Sequence, residues 1–146
     1  LPRPMIHSPG FDFSFSGLKT AVLYLVKKLP DLTPDIRAEI CAEFESAVVD
    51  CLIAKVKKTM GEFGAETLIV GGGVACNKFL REALTILANE LQISLYISEI
   101  SHSTDNALMI ATAGAMRSIT GNLSSREDIK AEGTLRLDDR MPNTSR

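Results

Sequence analysis

The sequence predicts an α/β protein with a short parallel sheet, and three observations carry this prediction. Residues 66–70 (ETLIV) and 93–98 (ISLYIS) are short β-branched runs, which are typical of strands. A helical apolar pattern over 77–91 lies between them, and the order strand, helix, strand favours a right-handed parallel crossover. Two further stretches of helical period precede this unit. With 45% hydrophobic and 23% charged residues in 146, the composition is that of one soluble globular domain.

Charge and hydropathy exclude several classes of function. The formal net charge is −2, so the chain has no overall electrostatic basis for binding nucleic acid or an acidic membrane. No apolar run reaches the ~18 residues of a membrane span. Three cysteines without a CxxC pair favour a reducing compartment, and we expect them to be buried thiols in a cytoplasmic protein. The opening LPRPM lacks an initiator Met, so we expect the chain to be part of a longer protein.

The first half of the chain predicts an extended segment and two amphipathic helices. Phenylalanines alternate with polar residues in FDFSFS over 11–16, which predicts a half-buried extended segment that ends in a serine cap. Apolar residues from Leu18 to Leu29 recur at helical spacing. The second helix has Thr33 as a cap and Pro34 at its first position. Its apolar stripe continues until Gly61 and Gly64, the predicted end.

The stretch GGGVACN, residues 71–77, joins the first strand to the next helix. Glycines at such a turn let a ligand approach backbone N–H groups and the positive end of a helix, which indicates a nucleotide-contacting loop. The stretch matches neither GxGxxG nor GxxxxGK[ST]. A tight turn packed against a neighbour is an equally good interpretation. Asn77 is placed to cap the helix or to point its amide at a ligand.

Asp105, in the stretch STDN at the start of the next helix, offers a similar choice. As a helix cap it would satisfy free N–H groups. The topology favours a second role, because the turns at the carboxyl ends of parallel strands gather at one edge, where ligands bind. A carboxylate there suits a divalent metal that also touches phosphate. His102 lies nearby, but a lone His in a polar loop is more typical of a surface residue.

Three motifs in order, FDFSFSGLKTAV, GGGVACNKFLREAL and STDNALMIATAGAM, closely resemble the C-terminal half of the TsaD/Kae-type tRNA threonylcarbamoyladenosine transferases, formerly called glycoproteases. The resemblance covers roughly residues 3–120. It implies the actin-like ATPase fold, built from RNase H-like lobes, of which this chain would be the C-terminal lobe with a helical insertion. It also implies transfer of the threonylcarbamoyl group from threonylcarbamoyl-AMP to N6 of adenosine 37 in tRNA.

The same resemblance implies the site residues. Asn77 matches the family's adenylate-contacting Asn, Gly72 and Gly73 match glycines of the same pocket, and Asp105 matches a metal ligand. The metal would be one divalent ion, iron or zinc, with ATP or ADP as a further ligand. The family's paired metal-binding histidines belong to its N-terminal half and are absent from this sequence. We therefore assign no catalytic residue and expect the chain alone to be inactive. Cys76 departs from the family's usual Ala or Ser, and the segment before Asp105 lacks the family's common Pro and Cys.

By resemblance, the expected partners are tRNA, the N-terminal half of the same protein, a smaller inactive TsaB-like subunit and a TsaE-like ATPase subunit, with no membrane. The expected parts of the chain are an entry segment with the first helix (1–32), a long helix of the insertion (33–64), an α/β nucleotide-binding half-lobe (65–121) and a polar tail (122–146). We interpret Lys27, Lys28, Lys55, Lys57 and Lys58 as solvated helix faces, with RNA contact as the alternative.

Three alternative functions remain at the level of the sequence. A metallopeptidase would need an activated water and a general base, and the chain contains no HExxH. A non-catalytic partner subunit would have no use for both Asp105 and Asn77. A generic ATPase of the same fold would bind nucleotide without forming a tRNA product.

Overall fold

The computed structural model describes residues 1–122, and within them it has four α-helices and two strands. In chain order these are α1 (Ser16–Lys28), α2 (Pro34–Phe63), β1 (Thr67–Val70), α3 (Lys78–Leu91), β2 (Ser94–Ile97) and α4 (Ala107–Ile119). Residues up to Asp105 form one compact unit, and a second unit begins at Asn106 with α4. The predicted α/β class is confirmed. Most of the predicted polar tail lies outside the described residues.

The sheet consists of β1 and β2, which pair in parallel with Val70 opposite Ile97. The predicted parallel connection through a helix is confirmed, and that helix is α3. The core joins α3 to α2, because Val49 clusters with Leu80 and Leu84. Side chains from one face of both strands pack against this cluster: Leu68, Val70, Leu95 and Ile97.

The prediction of a buried first strand is wrong for one face of the sheet. Ile69 is 78% exposed and its neighbour across the sheet, Tyr96, is 63% exposed. Successive side chains of a strand point to opposite faces, and the packed cluster covers the face that carries Leu68 and Val70. The β-branched composition of ETLIV therefore identified the strand but not the exposure of its second face.

The ends of α2 follow from local chemistry. Thr33 is the N-cap, and its side chain accepts a hydrogen bond from the Ile36 N–H at 3.3 Å, while Pro34 takes the first helical position. Gly64 ends the helix in the left-handed region, with φ of 58°, which glycine adopts without a Cβ penalty. Gly61 lies inside the helix, so only Gly64, of the two glycines predicted to end α2, does so. Helix α2 also contacts α1, as their apolar stripes predicted.

The start of α1 differs from the predicted serine cap. The N-cap is Phe15, whose side chain makes no capping hydrogen bond, and Ser16 is already the first helical residue. The Ser16 N–H instead donates to the Ser14 hydroxyl at 3.4 Å. Phe13 is half exposed, so the alternation of aromatic and polar residues here does not correspond to one buried face.

The non-helical segment before α1 is fastened to α2 by basic side chains. Arg3 Nε donates to Asp50 at 3.0 Å. Lys55 Nζ donates to three oxygens: the Ser8 carbonyl at 3.1 Å, the Ser8 hydroxyl at 2.7 Å and the Gly10 carbonyl at 2.8 Å. Lys55 is only 4% exposed, so the interpretation of this lysine as part of a solvated face is wrong. Its partners are on another segment, which the periodicity of α2 does not indicate.

The cysteines occupy three different environments. Cys51 is fully buried, Cys76 is half-buried and Cys41 is exposed. The expectation of three buried thiols is therefore confirmed only for Cys51 and is wrong for Cys41. Burial raises the pKa of the Cys51 thiol. No helix between residues 1 and 122 combines the length and apolar content that a membrane span requires.

Candidate functional site

Two loops leave the same edge of the sheet. Strand β1 ends at Val70 and β2 ends at Ile97, and these residues lie opposite each other in a parallel pair. The loops that follow, residues 71–77 and 98–105, therefore both begin at the carboxyl edge, where α/β proteins bind ligands. This confirms the predicted common edge for the glycine turn and for the loop that carries Asp105.

The glycine turn borders open space. A Cβ placed on Gly71, Gly72 or Gly73 would meet no atom within 4 Å. The interpretation of these glycines as a turn packed tightly against a neighbour is therefore wrong within the described chain. Gly72 has a second reason to be glycine, because its φ of 91° with ψ of 169° lies in a region that is essentially restricted to glycine. The turn leaves room for a ligand to approach the backbone.

Backbone hydrogen bonds and one buried side chain give the turn its shape. Residues Gly73–Cys76 form one turn of 3₁₀-helix, in which Ala75 is buried and its N–H donates to the Gly72 carbonyl at 2.9 Å. The Asn77 N–H donates to the Val74 carbonyl at 3.0 Å. Within residues 1–122, no backbone carbonyl accepts from the N–H of Gly72 or Gly73. Two adjacent donors are thus available at an exposed turn, an arrangement that suits an anionic group.

Asn77 serves two partners at once. Its Oδ1 accepts from the Leu80 N–H at 2.7 Å, which makes it the N-cap of α3 as predicted. Its Nδ2 donates to Glu45 Oε1 at 2.5 Å. Sequence analysis assigned no role to Glu45. Its spacing could have indicated one, because residues four apart share a helix face and Glu45 lies four residues before the core residue Val49. The structure shows Glu45 half-buried on this side of α2.

The second loop is tied down by serine side chains. The Ser103 hydroxyl donates to the Glu99 carbonyl at 2.8 Å and lies 2.8 Å from the Ser98 hydroxyl. Ser103 is 4% exposed. These bonds close the loop on itself directly after β2 and fix the backbone two residues before Asp105.

Arg81 connects the two loops. From the first turn of α3, its Nε donates to the Ala75 carbonyl and its Nη2 to the Ser98 carbonyl, each at 2.5 Å. The guanidinium group is planar with donors in a fixed fork, so it holds two acceptors in a defined geometry. A weaker contact of 3.9 Å joins Cys76 Sγ to the Ile100 carbonyl. Sequence reasoning did not assign a role to Arg81.

Asp105 is exposed at the end of the second loop. The cap of α4 is the next residue, Asn106, whose Oδ1 accepts from the Met109 N–H at 2.9 Å. The interpretation of Asp105 as the helix cap is therefore wrong. His102 Nδ1 lies 4.0 Å from Glu99, with the His side chain about half exposed, as expected for a surface histidine.

The described residues do not by themselves make a metal site. Between residues 1 and 122, no three His, Cys, Asp or Glu side chains come close enough together to hold one ion. A stable site needs about three or four ligands. Asp105 can contribute one of them.

A groove among the described residues lies outside the glycine turn, because no residue of the turn lines it. It has a volume of about 610 Å³ and runs between α2 and α3, with lining residues that include Ile53, Lys57, Phe79 and Glu90. None of the predicted site residues lines it. The candidate site is an open edge of the sheet rather than a closed pocket.

A comparison with protein families decides the relationship. The model of the family TsaD, described as tRNA N6-adenosine threonylcarbamoyltransferase, matches residues 1–112. The chain belongs to the TsaD family. Both loops of the candidate site fall within the matched range, together with the first two motifs of the resemblance and the start of the third.

Curated relatives agree with the TsaD assignment. Three of them, each called tRNA N6-adenosine threonylcarbamoyltransferase, come from Nitrosospira multiformis (46% identical over 125 residues), Francisella tularensis subsp. holarctica (39% over 132) and Francisella philomiragia subsp. philomiragia (42% over 117). The matches cover 86%, 90% and 80% of this chain, respectively. The chain spans between 35% and 39% of the length of these relatives.

Proposed function

We propose that this chain is the part of a tRNA N6-adenosine threonylcarbamoyltransferase that holds the nucleotide of its donor substrate, threonylcarbamoyl-AMP. The threonylcarbamoyl group would pass from this adenylate to N6 of adenosine 37 in tRNA. One observation carries the proposal: a glycine turn with open space around it and two available N–H donors stands next to the amide of Asn77. The relatives from Nitrosospira multiformis and Francisella tularensis are called tRNA N6-adenosine threonylcarbamoyltransferases, which supports the same reaction.

Each proposed role follows from the chemistry of the group. The N–H groups of Gly72 and Gly73 would donate to oxygens of the adenylate, because glycine lets the ligand approach the backbone closely. The Asn77 amide has two N–H bonds. One is used by Glu45, and the other would bind the nucleotide. No described residue is proposed as a general acid or base, so this edge contributes binding and orientation.

We further propose that Asp105 supplies one ligand to a divalent metal ion, iron or zinc. The other ligands would come from outside the described residues, because those residues hold too few candidates together. A bound metal would supply Lewis-acid chemistry. ATP or ADP would be a further ligand of the same edge.

The wider setting is proposed from the resemblance. The complete protein would have the actin-like ATPase fold and act in the cytoplasm. Its partners would be tRNA, a TsaB-like subunit and a TsaE-like subunit. Within the chain, residues 65–121 would form the nucleotide-binding half-lobe, preceded by the entry segment (1–32) and the insertion helix (33–64) and followed by the polar tail (122–146).

The substitution Asn77→Ser tests the binding role separately from folding. Serine keeps a good N-cap for α3 but lacks the amide donor. In the complete protein that contains this chain, supplied with threonylcarbamoyl-AMP and tRNA, we expect KM for the adenylate to rise about tenfold, equivalent to roughly 1.4 kcal/mol for one hydrogen bond. Asn89→Ser, on the exposed side of α3, is the matched control. A folded wild-type protein that forms no modified nucleoside would refute the proposed function.

The substitution Asp105→Ala tests the metal role. Mutation of residues that only hydrogen-bond to a metal ligand lowers metal affinity or activity by up to about a hundredfold. Loss of a ligand itself should therefore lower transfer activity by at least about that factor, with a matching loss of bound metal. Asp31→Ala is the control, because Asp31 is an exposed loop carboxylate without an ion pair among the described residues. Full activity and full metal content in Asp105→Ala would remove this residue from the site.

A further inference from the structure

The Asn77 side chain is held from both ends, and one of its two holders is on a different helix. Leu80, three residues later, donates to Oδ1, whereas Glu45 accepts from Nδ2 across 32 positions of sequence. The two contacts together fix which end of the amide is oxygen and which is nitrogen, since an N–H donor requires Oδ1 and a carboxylate requires Nδ2. The orientation of this amide is therefore determined by the protein before any ligand arrives.

The helix that carries Glu45 is held against α3 by the core. Val49, one helical turn later on α2, is 4% exposed and clusters with Leu80 and Leu84 of α3. Leu80 is also the residue whose N–H is capped by Asn77. The packing that joins the two helices thus sets the separation between Glu45 and Asn77.

The contact with Glu45 uses only one of the two N–H bonds of the Asn77 amide. Within residues 1–122, the second N–H of Asn77 donates to no protein acceptor. Without Glu45, Oδ1 would still cap α3, so the helix would keep its N-terminus. The Nδ2 end would lose its fixed partner, and its ordering would have to occur when the ligand binds.

We propose that Glu45 is a positioning residue that orients the Asn77 amide for the nucleotide. This inference rests on the proposed function, in which Asn77 contacts threonylcarbamoyl-AMP. Glu45 acts by preorganisation: the cost of ordering one side chain is met during folding rather than during binding. The ligand touches Asn77, and Glu45 acts through it.

The test compares Glu45→Ala with Glu45→Gln in the complete protein. Glutamine keeps an oxygen acceptor of the same reach, whereas alanine removes it. We expect Glu45→Ala to raise KM for the adenylate about three- to tenfold, the cost of ordering one mobile side chain, and to leave kcat unchanged. We expect Glu45→Gln to restore KM to within about twofold of wild type. Glu39→Ala, an exposed acid on the same helix, is the control.

The outcomes separate this inference from the proposed function. An active wild type whose KM is unchanged in Glu45→Ala would overturn the positioning role alone. Failure of Glu45→Gln to recover would do the same, because an acceptor at this position would then not be what matters. A folded wild-type protein without transfer activity would overturn the proposed function and, with it, this inference. A rise in KM that Glu45→Gln reverses, with kcat constant, supports both.

Discussion

Lys55 is a buried cation whose partners are three oxygens of the segment before α1, and its replacement by methionine tests how that segment is held. Its Nζ lies 2.7–3.1 Å from the Ser8 carbonyl, the Ser8 hydroxyl and the Gly10 carbonyl. Methionine keeps an unbranched apolar stem of similar length and removes all three donors. No carboxylate pairs with Lys55 among the described residues, so the substitution tests hydrogen bonds rather than an ion pair.

The expected magnitude follows from the exposure of the acceptors. Leaving a buried polar group without its partner costs about 1–3 kcal/mol. Ser8 is half-buried and Gly10 is exposed, so water can reach part of this set once the ammonium group is gone. We therefore expect Lys55→Met to lower the free energy of unfolding by about 2–3 kcal/mol in total, rather than by three full penalties.

Urea denaturation followed by circular dichroism measures this loss on the chain itself. Lys57→Met is the matched control: Lys57 is two residues away on α2, is 59% exposed and lies 3.5 Å from Glu90. We expect the control to change stability by less than about 0.5 kcal/mol. Faster amide exchange over residues 5–15 in Lys55→Met would place the effect in the held segment. Equal stability losses in the two variants would refute the reasoning.

Three further predictions concern the turn, the core and the thiols. Gly72→Ala should destabilise the chain by about 1–3 kcal/mol because of its positive φ, whereas Gly73→Ala should change stability by less than about 0.5 kcal/mol; thermal melting distinguishes them. Leu84→Ala should cost about 2–5 kcal/mol in urea denaturation as a buried large-to-small change. Iodoacetamide should modify exposed Cys41 before buried Cys51. Burial raises the pKa of the Cys51 thiol, so the neutral thiol contributes to stability in full below the ordinary pKa of cysteine. This contribution is lost as pH rises through the raised pKa of the folded state. The urea midpoint should therefore fall at alkaline pH.

The parts of the fold that the sequence predicted correctly depend on neighbours in sequence. Thr33 and Asn77 cap their helices through N–H groups three residues later, and Gly64 ends α2 by its own backbone conformation. The common edge of the two loops also follows from the order of elements, because a parallel pair places successive turns together. Such features are encoded within a few residues or by topology, and patterns along one chain indicate them directly.

The parts that the sequence did not predict depend on side chains that meet across the fold. Glu45 reaches Asn77, Lys55 reaches the segment before α1, and Arg81 reaches two loops at once. Helical periodicity assigned these charged residues to solvated faces or left them without a role. Each contact depends on how a helix packs against another part of the chain, which no local pattern states. The exposure of Ile69 escaped prediction for a related reason, because a strand's composition does not reveal how many of its faces are covered.

The candidate site takes its geometry from the two helices more than from its own loops. Glu45 from α2 holds the Asn77 amide at the end of the first loop, and Arg81 from α3 joins both loops. Helix α2 and helix α3 are in turn held by the cluster of Val49, Leu80 and Leu84. A change in this cluster should therefore reach the site before it unfolds the chain, since displacement of either helix moves a residue that orients a loop. The open glycine turn leaves room for the proposed ligand, while the packing of α2 against α3 fixes the position of the Asn77 amide that would contact it.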